Sequence, residues 1–411
     1  MNTATSSRSL NSSFGCAAAP TTKPALLVVI YANPDYYPPT VNAISILRRY
    51  FRVTVVCRNV EIPFREWGNI EVVRVGRYKA APAKERQSGA AKALEYFRFC
   101  MAVRRATVTL RPAAIYAYDN YGFVAAIRAP TAETPVVFHQ HELPDLRASS
   151  WRLEAWITRY ALRLTRAADL VVQPEINRAR IWSQAAADSR RPMLVPNCSS
   201  RDFYSPEGDL RAIARRRFEQ RKVFYVGWMS RSNGHVEALR AVAQMALPAT
   251  LVLVGPHDAA LGRHLTCLAD ALGVGTRLEL YGWVPHSECS RRFAACAVGL
   301  SLYKPVGANW AFNCSATNKL FEYAAMGLPV LVPDRKSYRE FLNSDSWVAF
   351  ANPDDPASIA RAIEFILADR ERYIAMSLAA RKAHEEKYNY ETVFQPVLAR
   401  LEQLAAGSDL K

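Results

Sequence analysis

The sequence predicts an α/β protein with two Rossmann-like, doubly wound domains that face each other across a cleft. Short apolar runs typical of buried strands alternate with helical stretches along the chain, and this alternation is characteristic of parallel sheets covered by helices. The alternation occurs twice, and a stretch from Pro196 to Gly208 without either pattern separates the two series. A length of 411 residues is also sufficient for two domains with separate cores.

The first series begins with the continuous apolar run at 25–31, which predicts a buried first strand. A polar, proline-rich loop that contains Asn33 follows it, and ligands of such sheets bind where the strands end. Residues 24–200 are predicted to form the first domain, after a Ser-, Thr- and Ala-rich tail at 1–23 that we expect to be disordered. Further strands are predicted at 52–57, 70–75, 113–118, 135–138, 170–172 and 193–195, with helices at 40–50, 87–105, 121–129 and 151–166.

The second series covers residues 201–385 and repeats the same architecture. The pair Asp354 and Asp355 precedes a proline, which is typical of a helix N-cap rather than of a metal site, and we predict no essential divalent metal. A last amphipathic helix is expected within 386–411. Strands are predicted at 222–226, 250–254, 278–281, 298–302 and 330–332, with helices at 234–245, 259–272, 287–296, 357–367 and 370–388.

The stretch at 315–333 combines a loop, a short helix and a strand. Ser315 and Thr317 are suitable N-caps for the helix, and Gly327 with Pro329 soon after it is a typical stop. The free N–H groups and positive dipole end of a helix N-terminus suit a diphosphate. Asn318 begins this helix, but that residue serves equally well as a simple cap.

Two charged residues lie in the first turns of this helix. Lys319 adds a full positive charge, which the helix dipole disfavours at this end unless an anion is present. Glu322, one turn after the start, can accept hydrogen bonds from a ribose diol. An exposed lysine and a solvated carboxylate are the alternatives. Together the two side chains predict half of a nucleotide-sugar site.

The run N-K-L-F-E-Y-A-A-M-G-L-P-V at 318–330 resembles the donor-site signature of retaining family-4 glycosyltransferases (glycosyl transferases group 1), which have the GT-B fold. The resemblance implies sugar transfer from a nucleotide-diphosphate sugar, as a substrate and without a cofactor, to a glycan or lipid-linked acceptor in surface polysaccharide or glycolipid synthesis. In that family the residue matching Glu322 is the second Glu of an E-x7-E pair and binds the ribose. The first Glu would fall at Cys314, which implies altered sugar recognition.

The same resemblance assigns roles to the domains. Residues 24–200 become the acceptor-side domain, and residues 201–385 become the nucleotide-sugar-binding domain. The C-terminal helix at 386–411 is expected to pack back on the first domain. Residues 307–315, which precede the signature helix, are expected to line the sugar pocket.

A second motif of the resembled family is the loop from Gly227 to Gly234. Relatives usually carry basic residues where this chain has Trp228 and Asn233. Arg231 is the only cation in this loop, and it is expected to neutralise the leaving diphosphate, unless it is a plain surface arginine. Gly227 is expected to lie against the donor.

The segment H-Q-H-E at 139–142 directly follows a predicted strand. His141 matches the active-site histidine of the resembled family and is expected to contact the donor sugar or the acceptor hydroxyl. His139, Glu142 and Asn33 are candidates for the acceptor side. A satisfied loop histidine is one alternative, and zinc is another, but two histidines without a nearby third ligand make zinc unfavourable. The predicted catalytic group is therefore His141, Arg231 and Lys319.

Charge and cysteine content indicate the cellular environment of the protein. The formal net charge is +16, and residues 1–200 carry 27 Lys/Arg against 14 Asp/Glu. None of the eight cysteines forms a C-x-x-C pair, which predicts a reduced, cytoplasmic protein. The basic, aromatic helices predicted at 87–105 and 151–166 present either solvated charge or a surface for anionic lipid at the inner face of a membrane.

Other functions remain open at this point. No nucleic-acid-binding motif accompanies the basic charge, so nucleic acid is not an expected partner. The departures at Trp228, Asn233 and Cys314 suit a catalytically weak subunit that binds a nucleotide sugar or supports a partner enzyme. A GT-B sugar-nucleotide epimerase is a third possibility, although the run at 318–330 fits transferases better.

Overall fold

The computed structural model describes residues 23–60, 65–79, 88–130, 133–146 and 152–408. Two parallel sheets, each covered by helices, confirm the predicted α/β class and its two doubly wound halves. Residues 1–22 of the predicted tail lie outside the described part of the chain. No helix within the described ranges is long and apolar enough to cross a membrane.

The first sheet has seven strands in the order β3-β2-β1-β4-β5-β6-β7, all paired in parallel. Its strands are β1 (Ala25–Ile30), β2 (Arg52–Val60), β3 (Glu71–Lys79), β4 (Ala114–Tyr118), β5 (Val136–His139), β6 (Leu170–Gln173) and β7 (Met193–Leu194). Its helices are α1 (Pro38–Leu47), α2 (Gly89–Leu110), α3 (Asp119–Ile127), α4 (Leu153–Leu164) and α5 (Ile176–Ala185). The strand order reverses between β1 and β4, which places the ligand crevice of this half beside their carboxyl ends.

The second sheet has six strands in the order β10-β9-β8-β11-β12-β13. Its strands are β8 (Lys222–Val226), β9 (Thr250–Val254), β10 (Leu278–Tyr281), β11 (Val298–Leu300), β12 (Val330–Pro333) and β13 (Val348–Ala351). The helices are α6 (Leu210–Gln220), α7 (His235–Gln244), α8 (Ala259–Ala271), α9 (His286–Arg292), α10 (Gly307–Ala311), α11 (Asn318–Met326), α12 (Lys336–Phe341), α13 (Pro356–Leu367), α14 (Arg370–Glu386) and α15 (Tyr390–Ser408). The switch point of this half lies between β8 and β11, directly before α11.

The stretch between the two halves contains no helix or strand but is packed against both. The Asn197 N–H donates to the carbonyl of Ser315 at 2.8 Å, and the Ser199 carbonyl accepts from the Tyr390 N–H at 2.9 Å. Cys198 is buried and joins a hydrophobic cluster that includes residues of both sheets. Helix α15 lies against α1 and β4, so the chain returns to the first sheet at its end.

Several elements were not predicted from the sequence, namely α5, α6, α10, α12 and β13. Helix α6 carries four arginines in eleven residues, which obscures its apolar face, and α10 and α12 have only five and six residues. Asp209 caps α6 by accepting from the N–H groups of Arg211 and Ala212. Local capping and tertiary contacts therefore stabilise helices that the apolar periodicity of the sequence did not predict.

Candidate active site

The start of α11 lies at the carboxyl end of the second sheet. Thr317 is the N-cap residue, but its hydroxyl is 2.9 Å from the Tyr303 hydroxyl and makes no bond to the helix N–H groups. Ser315 is not a cap, because its Oγ donates to the carbonyl of Pro174 in the first domain at 2.7 Å. The predicted capping by Ser315 is thus wrong: its hydroxyl ties the two domains together. The N-cap side chain leaves the first-turn N–H groups of α11 available to an anion.

Lys319 occupies an aromatic cage at this helix start. Its ammonium nitrogen lies 4.8 Å from the centre of the Tyr225 ring and 4.7 Å from that of Tyr303, and it donates to the Tyr303 hydroxyl. These contacts orient a positive charge by cation–π attraction. Lys319 is partly buried, and its ammonium is enclosed by this cage beside the helix start.

Gly227 closes one side of this cage. Its φ of +130° favours glycine, and a Cβ there would lie 3.2 Å from the Lys319 Nζ. Gly255 at the end of β9 has φ +140°, and a Cβ on it would meet the Gly227 carbonyl oxygen at 2.0 Å. The structure therefore brings the glycine loop and the signature helix together, with backbone packed closely against backbone.

The rest of the glycine loop is organised by its own polar groups. Ser230 and Asn233 form a reciprocal capping box, in which the Asn233 Oδ1 accepts from the Ser230 N–H at 2.8 Å. Asn233 is buried, so the amide that replaces the family's basic residue serves the turn itself. Arg231 and Trp228 are exposed, and Trp228 keeps 67% of its surface open to solvent. Arg231 therefore stands at the rim and does not join the Lys319 cage.

Glu322 and Asn318 lie on the same short helix. Glu322 is only 7% exposed and faces the neighbourhood of Cys289 on α9. Burial, and next the Glu322 charge, raise the pKa of the Cys289 thiol to about 12. The Asn318 Oδ1 is enclosed and accepts no hydrogen bond from the described residues. A buried acceptor without a donor is costly, which suits a ligand that supplies one.

Cys314 lies at the contact between the domains. Its thiol is 3.7 Å from the Glu175 Oε1 in the first domain, and burial followed by the Glu175 charge raises its pKa to about 12. A glutamate at position 314 would place two carboxylates against each other in a buried site, which is strongly unfavourable. The cysteine thus suits this particular domain contact, and the sequence offered no sign of its Glu175 neighbour.

His141 stands at the end of β5, opposite the second domain. Its ring stacks between Tyr37, with centroids 5.4 Å apart, and Tyr118, with centroids 4.9 Å apart. The Nε2 lies 2.8 Å from the Thr40 hydroxyl, while the enclosed Nδ1 has no partner among the described residues. Burial lowers the pKa of His141 to about 4. The imidazole is therefore neutral at pH 7 and acts through hydrogen bonds rather than through charge.

The other predicted acceptor-side residues do not lie together at the surface of the cleft. His139 is fully buried, and its Nδ1 is 2.8 Å from the Tyr116 hydroxyl, so the structure places it in the core beneath His141. Burial holds the pKa of His139 well below its usual range. Asn33 is also buried, and its Oδ1 accepts from the Asp35 N–H at 3.2 Å within its own loop. Of this group only Glu142 is exposed.

Asp119 was given no individual role from the sequence, although its segment at 119–122 follows a predicted strand and was expected on the acceptor side. It directly follows β4, its φ is +51°, and its Oδ1 accepts from the His141 N–H at 2.8 Å. Burial raises the pKa of Asp119 to about 6, although the His141 and Glu142 N–H groups lower it. Positive φ at a residue other than glycine is strained and is common at active sites. A polar residue directly after a predicted central strand was the signal available.

Among the residues that the structure describes, no group of three or more His, Cys, Asp or Glu side chains is arranged to hold a metal ion. In the 139–142 segment, the His139 Nδ1 lies 2.8 Å from the Tyr116 hydroxyl and the His141 Nε2 lies 2.8 Å from the Thr40 hydroxyl.

The buried state of His141 leads to a prediction about pH. As pH falls below the ordinary histidine pKa of 6.5, the unfolded chain binds a proton that folded His141 accepts only near pH 4. The free energy of unfolding is therefore expected to fall across this window, by at most about 1.4 kcal/mol per pH unit for this residue. Asp119 opposes the trend, because its raised pKa favours the folded state as pH drops below about 6.

Urea unfolding of the wild type and of His141→Gln across this window checks the prediction. The variant should show a shallower loss of stability, whereas His264→Gln, a change at an exposed residue of α8, should reproduce the wild-type slope. Equal slopes for the His141→Gln variant and the wild type would contradict it. His139 and His235 have lowered pKa values for the same main reason, burial, so part of the slope should persist.

Comparisons with known proteins bear on the family and the fold of the chain. Residues 231–399 match the model of a family described as glycosyl transferase-like. No curated protein sequence matches the chain. The matched family segment includes Arg231, residues 307–315 and all of α11.

Solved structures resemble nearly the whole chain. Sucrose-phosphate synthase from Thermosynechococcus elongatus superposes with a TM-score of 0.71 at 17% identity, covering 94% of this chain and 100% of that one. Anabaena HepE in complex with UDP and glucose gives 0.69 at 17% identity, covering 92% and 99%. WaaG, a glycosyltransferase involved in lipopolysaccharide biosynthesis, gives 0.61 at 14% identity, covering 90% and 98%. At these identities the likeness establishes the GT-B fold.

Proposed function

Because the chain is a GT-B protein with a glycosyl transferase-like second domain, we propose that it transfers a sugar from a nucleotide-diphosphate sugar, with retention at the anomeric carbon. One observation carries the proposal: the caged ammonium of Lys319 stands at the open start of α11 and against Gly227, with the Glu322 carboxylate one turn deeper. This arrangement matches a diphosphate followed by a ribose. The complexes of HepE with UDP and with UDP-glucose support a donor of this class.

The chemistry follows from where charge develops. When the bond to the donor sugar breaks, negative charge accumulates on the departing diphosphate, and oriented donors stabilise it most effectively. Lys319 and the first-turn N–H groups of α11 are in place for this task. Arg231 at the rim supplies a second cation when the loop closes over the donor. Glu322 accepts hydrogen bonds from the ribose and fixes the nucleotide.

The first domain supplies the acceptor side. His141 stays neutral, and its unpartnered Nδ1 can donate to or accept from a sugar hydroxyl. The acceptor hydroxyl attacks from the face that the diphosphate leaves, so that configuration is retained. Closure of the cleft excludes water and limits hydrolysis of the donor. This chemistry needs neither a metal nor a cofactor.

The proposal is tested in two steps with the purified protein. A thermal-shift screen against nucleoside diphosphates is expected to show stabilisation by one of them, and a panel of UDP- and GDP-sugars is then expected to show transfer or slow hydrolysis. The anomeric configuration of the product, measured by NMR, tests retention. If no nucleoside diphosphate raises the melting temperature, the donor site is refuted.

A catalytically weak, nucleotide-sugar-binding subunit is the second candidate function. The side chains of Asn233 and Cys314, which replace family residues, are engaged in the turn and in the domain contact. The Lys319 ammonium lies against Gly227, whereas Arg231 is exposed at the rim of the same loop. A protein that binds a nucleoside diphosphate but neither transfers nor hydrolyses any sugar in the panel would favour this alternative.

A glycan or lipid-linked acceptor at the inner face of a membrane would require a membrane contact, and α2 offers one. Four apolar side chains on this helix are strongly exposed: Leu94 at 51%, Phe97 at 61%, Met101 at 48% and Val108 at 57%. Their spacing places them on one face, opposite the buried face. The buried face consists of Tyr96, Phe99, Val103 and Thr107.

Positive charge flanks this apolar face. Arg98, Arg104 and Arg105 are exposed on the same side of α2, whereas Glu95, the one acidic residue of the helix, pairs with Arg58 at 2.6 Å. Helix α4, which contacts α2, adds Trp156 with 55% of its surface exposed. Apolar side chains bordered by arginines are typical of helices that lie in the interface of anionic membranes.

Vesicle co-sedimentation tests this contact. We expect binding to phosphatidylcholine vesicles that contain phosphatidylglycerol, little binding to phosphatidylcholine alone, and release by salt. Arg98→Glu with Arg105→Glu should weaken binding by at least about fivefold per site, at about 1 kcal/mol each. Phe97→Ser should also weaken it, whereas Phe365→Ser, on a residue of α13 that is 52% exposed, should not. Unchanged binding of the arginine variant would refute the contact.

A further inference from the structure

Arg178 is a buried arginine at the boundary between the two domains. It lies in the first turn of α5 and is only 4% exposed. Its guanidinium donates to four oxygens: the carbonyl of Phe312 at 2.6 Å, of Asn309 at 2.8 Å and of His141 at 3.1 Å, and the Asn313 Oδ1 at 3.0 Å. One side chain thus connects the end of β5 in the first domain with the pocket-lining residues 307–315 of the second.

Two further contacts reinforce this connection. The Leu143 N–H, two residues after His141, donates to the Asn309 Oδ1 at 3.0 Å. At the far end of the segment, the Ser315 hydroxyl donates to the Pro174 carbonyl at 2.7 Å. The pocket-lining residues lead directly into α11, so these contacts also place the helix start where Lys319 stands.

A guanidinium in this position is costly to bury. Desolvation lowers the pKa of Arg178, and the nearby Glu142 and Glu175 carboxylates only partly offset that effect. Its four partners are mainly backbone carbonyls, which satisfy the fork of N–H donors without a direct ion pair. An apolar side chain in the same space would leave these four oxygens without a donor, and it could not hold the two separate chain segments in position.

We infer that Arg178 is a positioning residue, which holds the sugar-pocket segment at 307–315 in register with His141 across the domain boundary. Its hydrogen bonds within the described part of the chain go to 309–313 and to His141, and none goes to Lys319 or Glu322. Its removal should therefore disturb the alignment of sugar and acceptor while the nucleotide contacts of Lys319 and Glu322 remain. The kinetic part of this inference rests on the proposed function, and its structural part does not.

The test compares Arg178→Met, Arg178→Lys and Arg217→Met. Arg217 is a matched control, because it is equally buried and donates to the carbonyls of Ala294, Met326 and Gly327 within the second domain alone. We expect Arg178→Met to lower kcat about 100-fold, since small misplacements of reacting groups have effects of this size. Affinity for the nucleoside diphosphate should change less than about twofold, and Arg178→Lys should recover part of kcat.

Hydrogen exchange provides a readout that needs no turnover. In Arg178→Met the amides of 307–315 and of 141–143 should exchange faster, while those of β8 and β9 keep their protection. Arg217→Met should lower the melting temperature but keep kcat and the exchange of 307–315. If Arg178→Met weakens nucleotide binding as much as kcat, or leaves exchange at 307–315 unchanged, the positioning role is refuted. If the wild type shows no turnover, the hydrogen-exchange result still decides whether Arg178 positions residues 307–315.

Discussion

Replacing Lys319 by methionine is expected to lower kcat by about 100- to 1,000-fold, the range found when one donor that stabilises a developing oxyanion is removed. Methionine fills the space between the Tyr225 and Tyr303 rings but carries no charge. The positive end of α11 then faces the leaving diphosphate alone. Because the diphosphate gains charge in the transition state, kcat should fall more than the affinity for the donor does.

Steady-state kinetics with the best donor from the sugar panel would measure this effect. Lys336→Met is the matched control, since Lys336 also stands in the first turn of a second-domain helix but is 89% exposed and pairs with Glu340. It should retain wild-type kcat. A Lys319→Met enzyme with kcat within threefold of wild type would show that the cation near the helix start does not assist departure of the leaving group.

Replacing Glu322 by glutamine should have the second-largest effect, which is a loss of affinity for the nucleotide. Hydrogen bonds to a charged carboxylate contribute about 1.5–3 kcal/mol, so affinity for the nucleoside diphosphate should fall by about 10- to 100-fold. The amide keeps the volume of a side chain that is 7% exposed, which limits the change in packing. Since ground state and transition state both contain the ribose contact, KM should rise while kcat changes little.

Calorimetric titration with the nucleoside diphosphate checks this expectation. Glu340→Gln on α12 is the control, because that carboxylate is 61% exposed and is paired with Lys336 at 3.7 Å. Its affinity for the nucleotide should match the wild type. Wild-type affinity in Glu322→Gln would mean that the ribose is bound elsewhere. Both variants need melting temperatures near that of the unliganded wild type for the comparison to be valid.

Much of the fold follows from local patterns. The strands β1, β8, β9 and β10 were predicted to within one residue, because continuous apolar runs with glycine or proline near their ends have few other solutions. The signature helix ends at Gly327. Its φ of +67° is the left-handed conformation expected of a glycine that ends a helix. The elements missed were the short or strongly charged ones, whose apolar faces are too small to show a period.

The donor side and the acceptor side of the candidate site also differ in how far the sequence could predict them. Gly227 follows β8, whereas Lys319 and Glu322 lie on α11 after β11, and the pairing of β8 with β11 in the sheet brings these two motifs together. On the acceptor side, His139 and His141 are two residues apart, and only the family resemblance singled out His141. Packing gives the two rings different surroundings, because one lies in the core against Tyr116 and the other stacks between tyrosines near the cleft.

The amino-acid sequence by itself determined the two wound sheets, the signature helix and its charged first turns, because each depends on residues close together in the chain. Only the tertiary structure decided that Ser315 ties the domains together rather than capping α11, that Cys314 faces Glu175, and that Arg178 joins His141 to the sugar-pocket segment. These contacts connect residues more than 30 positions apart. Which buried polar group finds which partner depends on how the two domains meet, and no local pattern encodes that geometry.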